Sequence, residues 1–145
     1  MPTISKTALV PYSAAEMYRL VDDVRAYPEF LPWCGGSEEL SRSDDEVRAR
    51  VDIAYGAIQK SFTTLNRLQK NKMIEISLVD GPFKHLHGFW RFEALDERAC
   101  KVSLDMEYEF SNRLLSLTLG PVFSQIANSM MDAFCKRAEV VYGKA

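Results

Sequence analysis

Residues 101–110 read KVSLDMEYEF, in which Val102, Leu104, Met106, Tyr108 and Phe110 alternate with Lys101, Ser103, Asp105, Glu107 and Glu109. Successive side chains of a strand point to opposite faces, so this stretch is a strand with one apolar and one wet face, as in a sheet open to water on one side. The same alternation recurs upstream in Val47, Ala49, Val51, Ile53 and Tyr55 against Arg48, Arg50 and Asp52, and in Ile74, Ile76 and Leu78 against Glu75 and Ser77. Turn residues at Asp44-Asp45, Tyr55-Gly56, Lys70-Asn71, Asp80-Gly-Pro82 and Asp96-Glu-Arg98 divide residues 37–110 into six strands. A single apolar sheet face needs a cover. Leu119, Val122, Phe123, Ile126, Met130, Ala133, Phe134 and Val141 follow helical spacing, with Lys136, Arg137 and Gly143 as stop signals. This predicts a helix from about Pro121 to Tyr142, about 33 Å long, with Gly120-Pro121 as its entry or kink.

At the other end, Thr3–Val10 alternates as a strand closed by Pro11, and Ser13-Ala-Ala-Glu16 is a capping box that opens a helix. Met17, Leu20, Val21 and Val24 form its inner face; Pro28 should end a second short helix built from Arg25, Ala26 and Tyr27, and a loop should carry Phe30 to Gly36. The expected fold is α+β: seven antiparallel strands wrapped around one long C-terminal helix, with two short helices after strand 1. That is a helix-grip geometry, in one domain spanning residues 1–145.

The chain has 145 residues, 47% hydrophobic and 26% charged, with a net charge of −2. Such a balance fits a globular domain and gives no basic excess to neutralise phosphates, so no DNA partner is expected. Cys34, Cys100 and Cys135 are widely spaced and read as reduced, buried thiols. The first eleven residues lack the pattern of a signal peptide, which makes the cytoplasm the expected compartment. The longest nearly apolar run, Leu114 to Phe123, is about half what a membrane span needs.

Three segments carry a family resemblance: MPTISKTALVPYSAAEMYRLVDDVRAYPEFLPWC (1–34), LVDGPFKHLHGFWRFEAL (78–95) and EFSNRLLSLTLGPVFSQIANSMMDAFCKRAEVVYG (109–143). They resemble the coenzyme-Q-binding protein family, which includes bacterial proteins described as ribosome association toxins. The resemblance implies a START-like domain, ubiquinone as bound ligand and a role in respiration, within a superfamily that also holds polyketide cyclases and lipid carriers. The mitochondrial members need a targeting presequence; this chain starts directly at its first strand, which suits a bacterial cytoplasmic protein, peripheral at the inner membrane if it meets lipid there.

Catalytic constellations are sparse. His85 and His87 share a strand face, but the sequence places no carboxylate or cysteine to complete a tetrahedral metal set, so a rim or solvent role is expected. Cys34 has no histidine at an activating spacing, and Asp22-Asp23 and Asp44-Asp45 read as helix-surface and turn residues. No catalytic residue, metal or required cofactor is assigned, and the chain is not expected to be an enzyme. A quinone needs an apolar slot and one or two donors. The candidate ligand-binding residues are Phe30, Trp33, Val51, Tyr55, Phe62, Trp90, Phe92, Met106, Tyr108, Ile126 and Met130, although each by itself fits ordinary core packing. Lys60, Thr64 and Asn66 share a strand face with Phe62 and are candidate donors if that face is the inner one. Phe30 to Trp33, Asp80 to Phe83 and Leu114 to Leu119 would form an apolar rim for a transient membrane-surface or protein contact.

Three functions follow in order: a binding protein or chaperone for ubiquinone or a related isoprenoid lipid; a module that binds the large ribosomal subunit and blocks subunit association, for which Arg42, Arg48, Arg50 and Lys60 offer a local cationic patch; and a cyclase-like enzyme, which would need an acid or base inside the pocket.

Overall fold

The computed structural model describes residues 2–143. Its elements run β1 (Thr3–Val10), α1 (Ala14–Asp22), a 3-10 turn (Val24–Ala26), α2 (Tyr27–Phe30), β2 (Cys34–Arg42), β3 (Glu46–Tyr55), β4 (Ile58–Gln69), β5 (Met73–Asp80), β6 (Phe83–Asp96), β7 (Ala99–Phe110) and α3 (Arg113–Tyr142). The strands form one seven-stranded antiparallel sheet in the order β1-β7-β6-β5-β4-β3-β2. It is a meander from β2 to β7, with the first strand of the chain closing against the last. Register shifts in β2, at Thr63/Thr64 and at both ends of β6 mark bulges. Bulges sharpen twist and bend the ladder, and so help one sheet curve around one helix. Gly88 serves the same end by close approach: a Cβ there would lie 2.8 Å from the Asp105 carbonyl oxygen and 3.2 Å from the Met106 Cβ.

α1 starts on the expected capping box, Glu16 N–H donating to Ser13 Oγ and Ser13 N–H to Glu16 Oε1. Met17, Leu20, Val21 and Val24 are all buried. Pro28, however, does not end a helix. It stands in the first turn of α2, where a fixed φ and a missing N–H cost nothing. The loop after it is short, because β2 already begins at Cys34.

α3 differs most from expectation. It is capped by Asn112, whose Oδ1 accepts from Leu115 N–H, and it runs 30 residues, about 45 Å at 1.5 Å per residue, with Pro121 inside it. Its first two turns overhang the core, leaving Leu114 at 71% and Leu117 at 66% exposure. Beyond them Leu119, Phe123, Ile126, Ala127, Met131, Phe134 and Ala138 face inward. Val141, expected inside, is exposed, because Tyr142 takes the inward place: its hydroxyl donates to the Glu16 carbonyl oxygen at 3.0 Å. Tyr12 OH donates to the Gly143 carbonyl oxygen at 2.7 Å, tying the helix end to the segment after β1. No helix of the described residues is long and apolar enough to cross a membrane.

Candidate functional site

The inner rows of the sheet and the middle of α3 do not close completely. Between them lies a cavity of about 70 Å³. Val51 on β3, Phe62 on β4, Trp90 on β6 and Met106 on β7 form its sheet wall, and Ile126 and Met130 come down from α3. Trp33, ahead of β2, lines it from a further side. These seven candidates are brought together. The other four are not. Phe92 lies behind Trp90, its ring stacked at 6.4 Å and met edge-on by Tyr18 at 5.7 Å. Tyr108 belongs to a solid aromatic cluster, 4.7 Å from Phe123 and 6.5 Å from Phe83. Tyr55 is 41% exposed at the β3–β4 hairpin and donates to Gln125 Oε1. Phe30 packs on Phe134 at 5.2 Å from outside, under the Arg137 guanidinium.

The lumen is apolar except on β4. Thr64 is 5% exposed and its Oγ1 donates to Asn66 Oδ1 at 2.9 Å; both residues line the cavity. The face whose direction sequence left open is therefore the inner one at Phe62, Thr64 and Asn66. Lys60 is exposed at the strand's end and lies off the cavity wall. The Thr64 bond uses the Asn66 oxygen as acceptor and leaves the NH2 as the donor available to an occupant. Tyr27, a wall residue absent from the candidates, turns its hydroxyl to the Val21 carbonyl oxygen at 2.5 Å, and burial holds the phenol far above its ordinary range. Ala49 was also missed. A small residue in a row of β-branched ones is the signal that marks it, since it leaves space.

Outside the cavity, Cys34 Sγ donates to the Gly36 carbonyl oxygen and burial pushes its thiol up, so it stays protonated. His85 and His87 lie on the outer face as expected, yet carboxylates do stand beside them: His87 Nε2 is 2.8 Å from Glu75 and His85 Nε2 is 3.2 Å from Glu107. Cross-strand pairing supplies these acids from β5 and β7, which linear spacing conceals. Among the described residues no group of three or more potential ligands could hold a metal ion. Of the cationic patch, Arg42 pairs with Asp22 and Glu39, and Arg50 with Glu38 and Asp52, whereas Arg48 and Lys60 are exposed and form no ion pair among the described residues. The apolar rim is similarly broken up: Leu31, Trp33 and Phe83 are buried, while Leu114 and Leu117 stand free on the α3 overhang.

Residues 10–135 match the family model described as polyketide cyclase / dehydrase and lipid transport. Among curated proteins, the ribosome association toxin RatA of Pseudomonas aeruginosa is 48% identical over 140 residues, covering 97% of each chain. The mitochondrial coenzyme Q-binding protein COQ10 homolog B of Xenopus laevis is 28% identical, covering 97% of this chain and 59% of that one. Among solved structures, the Zhui aromatase/cyclase from Streptomyces sp. R1128 superposes with a TM-score of 0.84 over 99% of both chains at 16% identity, a likeness of fold alone.

Proposed function

The chain belongs to the polyketide cyclase / dehydrase and lipid transport family, and from that premise we propose that it is a non-catalytic, ribosome-associating member, acting on the large subunit to hinder subunit joining. The observation that carries this reading is the 48% identity, along almost the whole length, to a protein named for ribosome association. The lumen supports the non-catalytic part. Thr64 and Asn66 do not titrate, and the Tyr27 hydroxyl is committed to a backbone oxygen. A cyclase-like reaction needs a proton donor or acceptor at the reacting atoms. Ribosome association also entails a cytoplasmic protein.

Sedimentation tests it. Purified protein is mixed with separated large and small subunits at about 50 mM and about 200 mM salt, a range over which phosphate-driven binding weakens steeply. Co-migration with the large subunit, fading with salt, together with a smaller joined-subunit peak, is the expected result. Free protein at the top of the gradient at both concentrations would remove the reading.

A second reading is favoured by the cavity: the domain holds a neutral lipophile such as ubiquinone, its ring between Trp90 and α3 and a carbonyl oxygen accepting from Asn66. The two readings are compatible, because the lumen is interior and a ribosome would meet the surface. Recovery of a quinone by organic extraction of the purified protein would support this one.

A further inference from the structure

Trp33 is common to two spaces. It lines the cavity of about 70 Å³ beneath α3, and it lines an open surface groove of about 500 Å³ between the Glu29–Trp33 segment and α3. The cavity is less than half the roughly 150 Å³ at which an apolar cavity takes up a benzene ring. A flat ring therefore does not fit while Trp33 stays in place. The groove lies within the range of about 300–1,000 Å³ common to small-molecule sites.

The backbone around Trp33 is pinned. Its carbonyl oxygen accepts from Ala54 N–H at 2.7 Å, Cys34 N–H donates to the Leu31 carbonyl oxygen at 3.0 Å, and Leu31 is 1% exposed. The indole, 7% exposed, takes part in none of the side-chain hydrogen bonds among the described residues, so packing alone holds it. We propose that the Trp33 indole is a door, and that the cavity and the groove together form one site for an elongated, uncharged lipophile with a hydrogen-bond-accepting head. The inference rests on the lipophile reading above and adds the route and the second compartment.

The polarity of the two compartments orients the occupant. The donor is inside, at Asn66 beside Thr64, so the head goes in first. Phe30, Pro32, Ala133 and Val140 give the groove its apolar surface, on which a tail would lie. The charges along the groove cancel in pairs, Arg137 with Glu29 at 3.0 Å and Lys136 with Asp132 at 2.9 Å. A groove so balanced offers no excess charge to an acidic or basic occupant, which favours a neutral one.

Trp33 and Trp90 are the chain's two tryptophans and both line the cavity, so quenching of intrinsic fluorescence reads occupancy directly. The probe is decylubiquinone, mixed with the full chain in a stopped-flow instrument. Trp33→Ala, with Trp90 left as reporter, should speed association on the order of tenfold by removing the door. Ala133→Phe, which fills the groove at a half-buried position that is not itself part of the cavity lining, should slow it several-fold. Asn66→Leu should leave association unchanged and weaken equilibrium binding about tenfold through faster release. If the wild-type chain is quenched but both Trp33→Ala and Ala133→Phe associate at the wild-type rate, the door is refuted and cavity binding stands. If decylubiquinone does not quench the wild type at any concentration, the lipophile reading fails and takes the door with it. Should Trp33→Ala not fold, Ala133→Phe alone decides the route.

Discussion

Replacing Ala49 by valine asks directly whether the space under α3 is empty. Ala49 is 1% exposed, lies between Val47 and Val51 on the inner row of β3 opposite Thr64, and lines the cavity. The void of about 70 Å³ is several times the ~10–15 Å³ that one water needs by the same measure, and so has room for two methyl groups. Valine adds two methyls, at a strand position where β-branching is favoured. Burying each contributes about 0.8 kcal/mol and ordering the side chain costs about 0.5 kcal/mol, so a gain on the order of 1 kcal/mol is expected. With a urea dependence of about 2 kcal/mol per molar, the unfolding midpoint should rise by roughly 0.5 M, followed by far-UV circular dichroism and tryptophan fluorescence. The same variant should lose affinity for decylubiquinone. A midpoint that falls by that amount would mean overpacking of a solid interior, which costs about 1–3 kcal/mol, and the cavity and everything built on it would have to be abandoned.

Phe134 is fully buried and meets Tyr27, Phe30 and Trp90 edge-on at 5.2–5.6 Å; Phe134→Ala should cost about 3–5 kcal/mol by urea titration, whereas Val141→Ser, on the exposed last turn, should stay within about 0.5 kcal/mol. Gly88→Ala forces a methyl to within 2.8 Å of the Asp105 carbonyl oxygen, and the parting of β6 from β7 should lower stability by about 1–3 kcal/mol; a neutral result would show that the two strands are less tightly apposed. Burial pushes the Cys100 thiol from 9.0 up to about 11, chiefly by desolvation. The folded chain therefore keeps a proton there that the unfolded chain gives up: this contribution is whole below pH 9 and is lost as pH rises from 9 to 11, a fall on the order of 2 kcal/mol that Cys100→Ala should remove from the alkaline unfolding curve.

Strand boundaries were legible because each turn announces itself with small, polar or charged residues, and the two-residue period of β3, β5 and β7 assigned faces without ambiguity. Alternation tells which face a residue occupies and nothing about its depth along the strand. Tyr55, Phe92 and Tyr108 share the inward face with the lumen residues, yet they lie at the rim, behind Trp90 and in a filled aromatic end. The start of α3 was hidden by Pro121, which reads as a boundary, and by an overhang whose Leu114 and Leu117 face solvent and so break the helical pattern. β4 was ambiguous because its inner row carries Thr64 and Asn66 where a strand buried for packing alone would carry valine or leucine. The carboxylates beside His85 and His87 come from neighbouring strands and have no linear signature.

The pairing of β1 with β7 matches Thr3 with Glu107 and Val10 with Cys100. β1 thus has no partner until about 100 further residues exist, which at roughly 5–20 residues per second is about 5–20 s. Throughout that interval an alternating strand with unfilled backbone donors and acceptors is present on the nascent chain, while β2 to β6 can pair in sequence as they emerge. Closure of the sheet is the longest-range strand pairing, so the waiting strand is the segment most open to pairing with the wrong neighbour.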